Sequence, residues 1–391
     1  MAFFKLFSKR IFVFIIFTIV GYPLASQTSK GEKEQEKMLN YIFEGGTEGY
    51  QCFRIPAVVT SKKGTLLAFA EGRKNGCSDT GNIDLVMKRS QDGGKTWGQL
   101  EVLWHDGGNT CGNPSPVIDR TTGNIFLLST WNLGEDHESE IIAQKSKDTR
   151  RVFVLKSEND GNSWSRPKEI TSDIKSPNWT WYATGPGSGI QILGGKYKDR
   201  LVIASDHIEA VTKKYYSHTI YSDDHGETWE LGGSTPKDQV NECEVVELSD
   251  HSLMLNMRNY DRNRSSRQLA YSDDGGESWK EMHHQETLIE PICQASTLRF
   301  QFKEQVYVLF ANPADTKNRV NMTLRLSEDD GKTWPIEKQI FQGPSAYSDL
   351  TPIDRKNIGI LYEGGHKNAY QGIIWESMGI SELLQKRKKL D

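Results

Sequence analysis

Ser90-Gln91-Asp92-Gly93-Gly94-Lys95-Thr96-Trp97 is a short polar stretch that ends on the largest apolar side chain, and its pattern returns four more times. The other copies run from Ser157 to Trp164, Ser222 to Trp229, Ser272 to Trp279 and Ser327 to Trp334. Each has serine first, glycine fifth and tryptophan eighth, and the first residues lie 67, 65, 50 and 55 residues apart. Self-similarity at such a period marks a repeat architecture. Asp or Asn at the third place suits a turn, because such side chains bond backbone N–H groups two residues on. Glycine at the fifth place permits a positive φ, and the tryptophan is expected to plug the space beneath. A catalytic site is single, so a motif present five times is read as structure.

The chain ahead of each motif alternates in strand fashion: Ile83–Met87, Arg151–Leu155, Ser217–Tyr221, Arg267–Tyr271 and Met322–Leu326. Further β-rich runs fill the intervals, at Thr65–Phe69, Asn124–Ser129, Arg200–Ala204, Ser252–Met257 and Gln305–Phe310. No long run of helical period precedes Ser381. The fold class expected is therefore all-β, a six-bladed β-propeller with four-stranded antiparallel blades of about 60 residues each. The sixth blade, which has no motif, would combine the segment after about Ser345 with a first strand near Tyr41–Phe43.

The chain has 391 residues, 48 Lys and Arg against 52 Asp and Glu, and a formal net charge of −4. That balance gives no basic surface for nucleic acid. Lys5, Lys9 and Arg10 precede an apolar run from Ile11 to Val20, then the small residues Ala25 and Ser26. This reads as a signal peptide over residues 1–26, which implies a secreted or periplasmic protein with no membrane span after its removal. Residues 27–37 read as a polar linker, and 38–391 as the propeller. The terminal run Ser381–Asp391 reads as a solvated helix. Five cysteines without a C-x-x-C indicate neither a disulfide framework nor a zinc site, although one pair could be bridged.

The repeat matches the Asp-box, S-x-D-x-G-x-[TS]-W, except that Asn159 replaces Asp in the second copy. Phe53-Arg54-Ile55-Pro56 precedes the first box. An F-R-I-P motif followed by several Asp-boxes resembles the exo-sialidase family, and its bacterial secreted members above all. The resemblance covers about Met38 to Glu376. It implies that Arg54, Arg258 (in Asn256-Met257-Arg258-Asn259) and Arg319 (in Asn318-Arg319-Val320-Asn321) bind the substrate carboxylate. Guanidinium groups suit that task, since they pair with carboxylates and stay charged at any working pH.

The same resemblance assigns Asp79 as acid/base, on a loop between the first and second strands of its blade, with Arg73 nearby on the substrate. Asp84 competes for the acid role but reads as a structural partner. Tyr347 would be the nucleophile and Glu242 the base that takes its proton, with Glu244 and Glu247 as alternatives. Sialidases are the tyrosine exception among retaining glycosidases. A neutral phenol avoids repulsion from the carboxylate on the anomeric carbon, and a base is required because tyrosine titrates near 10. Glu363 would buttress Arg54, Tyr182 would lie near the glycerol or aglycone side, and Trp131 would join the acetyl pocket.

The resemblance implies hydrolysis of terminal α-linked sialic acids from glycoproteins, gangliosides or oligosaccharides, with retention, and a monomer that uses no metal or other cofactor is expected. One rival keeps the site but transfers sialic acid to another sugar or to its own glycerol arm. A more distant rival is a non-catalytic glycan-binding propeller.

Overall fold

A computed structural model describes residues 38–385, so the signal peptide, the linker and the tail beyond Gln385 lie outside the described residues. All ten runs expected to be β-rich fall on strands. The architecture is all-β, in antiparallel sheets joined by one parallel pair, Ile83 with Thr110.

Successive strands pair with their neighbours in groups of four. Cys52–Thr60, Leu66–Arg73, Ile83–Ser90 and Glu101–Trp104 form one group. Thr110–Ile118, Ile125–Asn132, Arg151–Ser157 and Lys168–Glu169 form the next. Trp179–Thr184, Leu201–Glu209, Tyr215–Ser222 and Glu230–Ser234 follow, then Val240–Glu247, Leu253–Asn259, Ser266–Ser272 and Lys280–Ile289. Ser296–Phe302, Gln305–Pro313 and Val320–Ser327 pair onto the first half of the long strand Ile336–Pro352. From Ser345 that strand pairs instead with Asn357–Gly364, which pairs with Gly372–Gly379. The last partner is the N-terminal strand Tyr41–Glu44, as the sequence led us to expect.

Burial falls across each group. Cys52–Thr60 and Thr110–Ile118 are buried along almost their whole length, whereas Lys280–Ile289 is largely exposed. A strand buried on both faces must lie between neighbouring sheets, and in these two the polar side chains Arg54, Asn113 and Ser115 are buried with the apolar ones. The core is a series of apolar layers, each supplied by two consecutive groups. Ala57, Leu67 and Phe69 pack on Ile118, Leu127 and Leu155, and Phe53, Ala68 and Val86 pack on Leu361, Ile373 and Trp375 of the last group. Each of the Val, Leu, Ile and Phe side chains among them contributes about 1.5–3 kcal/mol when fully buried.

The Asp-box turns differ in detail from expectation. Asp92 does not bond the N–H two residues on; its Oδ1 accepts the N–H of Thr96, four residues on, at 2.9 Å, while Oδ2 accepts the Thr96 hydroxyl at 2.6 Å. Ser90 Oγ caps the inner turn by accepting the N–H of Gly94 at 2.9 Å. Asn159 reproduces the geometry with its amide, accepting from Ser163 N and donating to Ser163 Oγ. The boxes also reach across groups. Trp164 packs edge-on against Phe69, Trp229 against Phe126, and Trp97 against Trp375 of the last group.

The last group has no box. In its place the helix Ile380–Gln385 follows Gly372–Gly379 and buries Ile380 and Leu383 with Phe300 and Leu309. This part of the terminal helix is therefore docked, where sequence suggested a solvated one.

Candidate active site

The first strand of every group but one carries a β-bulge. Register shifts fall between Arg54 and Ala57, Gly112 and Ser115, Trp179 and Tyr182, Val240 and Cys243, and Ser345 and Ser348. A bulge bends the strand and re-aims its side chains. Within these bulges, Arg54, Asn113, Trp181, Glu242 and Tyr347 line one cleft of about 260 Å³.

Tyr347 lies at the centre. Its hydroxyl donates to Glu242 Oε1 at 2.5 Å, and Arg258 Nη1 donates to Glu242 Oε2 at 2.5 Å and to Tyr347 Oη at 3.0 Å. The Arg54 and Arg319 guanidinium carbons stand 5.0 and 5.5 Å from the centre of the same ring. Three arginines from separate strand groups thus converge on one phenol. Burial and then the Glu242 charge hold that phenol protonated well above the usual tyrosine range, against the pull of Arg258, Arg54 and Arg319.

Glu363, fully buried, fixes this arrangement. Its carboxylate accepts from Arg54 Nε at 3.0 Å and Nη2 at 3.1 Å, from Ile55 N at 2.9 Å and from Tyr347 N at 3.3 Å. Ile55 has a φ of +57°, a costly conformation for a β-branched residue. The Glu363 bond to its N–H holds that turn, and the turn aims Arg54 into the cleft. Arg319 is held by Tyr370 Oη at 2.9 Å and Ile292 O at 3.2 Å.

Asp79 accepts from Arg73 Nη1 at 2.7 Å and Arg54 Nη1 at 3.4 Å. Burial works to raise its pKa, but Arg73 and Arg54 outweigh it and hold the carboxyl below the ordinary range. The side chain is 69% exposed, so water screens part of that pull. Its loop joins the second and third strands of the group, not the first and second as the sequence reading had it. Asp84 faces away from the cleft, bonded to Tyr50 Oη and Lys74 Nζ.

Glu244, two residues beyond Glu242, lies fully buried below the cleft and takes Thr297 N at 2.5 Å. It forms a pair with Asp349, whose carboxyl burial raises to about 7. Glu247 lies farther along the strand, bonded to Leu193 N and His251.

Two expected residues are elsewhere. Tyr182 is fully buried beside His218, 3.0 Å from its hydroxyl, while its neighbour Trp181 lines the cleft. Adjacent strand residues face opposite ways, so a one-residue slip exchanges core for cleft. Trp131 is also outside the cleft; its indole donates to Asp106 Oδ2 at 2.8 Å and its ring packs with a side cluster.

Sequence reading also missed cleft residues. Arg150 is buried against Asn113, Asn132 Oδ1, Thr130 Oγ1 and the Trp181 ring. Glu71 holds Arg73 through Nε at 2.9 Å and Nη2 at 2.6 Å. Asp206, buried with its pKa raised by that burial and then by Glu242, has one oxygen without a partner. Tyr260, Tyr370 and Glu138 complete the rim. No local sequence mark points to Asp206; it reaches the cleft because it pairs with Ala183, which lines the cleft with Trp181. Among the described residues no His, Cys, Asp and Glu cluster has the makings of a metal site.

A family described as a BNR repeat-like domain matches residues 64–360. A sialidase of Bacteroides fragilis (strain YCH46) is 34% identical over 82% of this chain, and the chain spans only 62% of that protein's length. A sialidase of Paraclostridium sordellii is 30% identical over 87% of this chain and 88% of its own. Among solved structures, the Hadza microbial sialidase Hz136 matches with a TM-score of 0.80 at 30% identity, over 89% of this chain and 69% of that one.

Proposed function

The chain belongs to the sialidase family, and we propose that it is a retaining exo-α-sialidase acting on glycoproteins, gangliosides or sialylated oligosaccharides. The observation that carries this reading is the single cluster of Tyr347, Glu242, Arg258, Arg54 and Arg319. Three guanidinium groups facing one cleft, with Glu363 spent on Arg54 and Glu242 shared by Arg258 and Tyr347, leave room for the carboxylate of an acidic sugar.

In the proposed sequence, the substrate carboxylate binds Arg54, Arg258 and Arg319 and frees Asp79 from Arg54. That added negative charge offsets the arginine pull and lets Asp79 hold a proton, which it gives to the departing oxygen. Tyr347 attacks the anomeric carbon as Glu242 takes the phenol proton, so the nucleophile approaches neutral. Asp79 then takes a proton from water as the water attacks the same carbon; the bond to Tyr347 breaks and Glu242 returns its proton to the departing phenolate. Two inversions give net retention.

We also propose that the strand groups are the six four-stranded blades of a closed propeller. In support, the first box packs on Trp375 and Tyr41–Glu44 pairs with Gly372–Gly379. Residues 1–26 as a signal peptide, residues 27–37 as a linker and export as a monomer belong to the same proposal. The Cys52–Cys77 disulfide supports an oxidising compartment. Among the described residues no helix is long and apolar enough to cross a membrane.

Incubation with a sialyl-oligosaccharide, followed by NMR, tests the activity. The α-anomer of free sialic acid should appear first. Transferred or anhydro product would indicate a transferase, and no turnover by folded protein would leave a binding propeller.

A further inference from the structure

The nine residues that carry Asp79 between two strands are Lys74-Asn75-Gly76-Cys77-Ser78-Asp79-Thr80-Gly81-Asn82. Apart from Cys77, none offers an apolar side chain to a core. Gly76 and Gly81, with φ of +137° and +117°, bracket the acid with the two most permissive residues of the segment. Polar bonds hold the far end of the segment, Gly81 to Thr110 and Thr80 to His137, but no apolar packing anchors the stretch ahead of Asp79. Acid catalysis demands the opposite, since a misplacement of about 1 Å can cost about 10²-fold in rate.

The missing restraint is covalent. Cys77 is joined to Cys52, with Cα atoms 5.3 Å apart. Cys52 is fully buried at the head of the strand that bears Arg54. Each half-cystine lies two residues ahead of a cleft residue, Cys52 before Arg54 and Cys77 before Asp79. Arg73 Nη1 donates both to Cys77 O and to Asp79 Oδ1, each at 2.7 Å, so the stapled residue and the acid share one guanidinium. The other cysteines, Cys111, Cys243 and Cys293, are buried thiols. Cys77 is exposed, so the bond is open to a reductant in the folded protein.

We propose that the Cys52–Cys77 disulfide is a positioning element for the acid step: it pins the loop to the Arg54 strand so that Asp79 meets the leaving oxygen. This rests on the reading of Asp79 as the acid. The staple has no contact with Tyr347 or Glu242, so attack at the anomeric carbon does not depend on it. Leaving groups expose the difference. A sugar alkoxide must be protonated as it departs, whereas an acidic phenol departs as its anion.

The test compares kcat/KM for a sialyl-oligosaccharide with that for a sialoside of an acidic phenol. Four proteins are measured: native, phosphine-reduced native, Cys52→Ser/Cys77→Ser, and Asp79→Asn. In the reduction, the phosphine gives its electron pair to the S–S bond and takes oxygen from water, leaving two thiols and phosphine oxide. The reduced protein and the double variant should lose about 10–100-fold on the oligosaccharide and under about 3-fold on the aryl substrate. Reoxidation should restore the native value. Asp79→Asn should show the same selectivity, and reduction should add nothing to it. An unchanged ratio of the two substrates on reduction, or equal loss on both, overturns the proposal while Asp79→Asn remains selective. If Asp79→Asn is itself unselective, the acid assignment fails and the proposal falls with it. The reduced native protein serves if the double variant does not fold.

Discussion

The Asp-box turns and the bulged mouths of the first strands of the groups are opposite solutions made from the same antiparallel sheets. Each box repeats one hydrogen-bond scheme, with Ser90, Ser157, Ser222, Ser272 and Ser327 all accepting the N–H of the fifth-place glycine at 2.8–3.0 Å. The mouths repeat only their irregularity: a bulge recurs, but the residue it turns inward is Arg54 in one strand, Glu242 in another and Tyr347 in a third. Regular sites hold neighbouring sheets together, and irregular ones hold functional groups. Stability and chemistry are thereby assigned to different parts of the chain.

Substitutions can break that division. Tyr347→Phe should lower kcat/KM by about 10⁴-fold or more while leaving the melting temperature nearly unchanged, as read by single-turnover kinetics and calorimetry. Near-native turnover would remove the tyrosine from the mechanism. Glu363 is where the two regions overlap, because it is fully buried and also holds Arg54. Glu363→Ala should destabilise by about 3–5 kcal/mol through the uncompensated buried Arg54, and also raise KM at least about tenfold. A rise in KM without a fall in stability would show that the mouth is not part of the load.

Gly94→Ala lies wholly on the scaffold side. A Cβ there would stand 2.1 Å from Trp375 Nε1, at a φ of +86°. It should cost about 1–3 kcal/mol in a denaturant titration, with kcat per folded molecule intact.

The smallest effect concerns acid. Bonds from the Thr96 side chain and backbone, with Ser90, lower the Asp92 pKa to about 2. A carboxyl depressed in the folded state stabilises above its unfolded value near 3.9 and loses that contribution as pH falls towards 2. Asp224 is depressed as well, its Thr228 bonds outweighing the effect of burial. Asp224→Asn should therefore flatten the loss of stability as pH falls below about 4, and the Asn159 box shows that an amide fits the turn. An unchanged acid profile would mean that the box carboxylates bear no share of it.

The scaffold was legible in the sequence because its signals are local. Spacing, alternation and turn residues act within eight or ten positions, and the strands fell where those signals put them. The central residues were legible through short motifs, Phe53-Arg54-Ile55-Pro56 foremost. What escaped depends on facing or on distance. Tyr182 was one residue out of phase with Trp181, since strand pattern alone does not say which face meets a bulge. Arg150 and Asp206 are brought to the cleft by neighbouring strands and carry no local mark. The Cys52–Cys77 bridge needs the approach of a strand and a loop that only the folded sheet defines.

The pairing of Tyr41–Glu44 with Gly372–Gly379, and of Arg54 with Glu363 across 309 positions of sequence, has a consequence for biosynthesis. Contacts of such separation form last, after the loop-closure entropy of the whole intervening chain has been overcome. A growing chain can complete its sheets one after another as they emerge, but Arg54 lacks its bidentate, buried partner until residue 363 has been made. Catalytic competence therefore waits until Tyr347 and Glu363 have been made, and translation products that stop before them should carry folded sheets without activity.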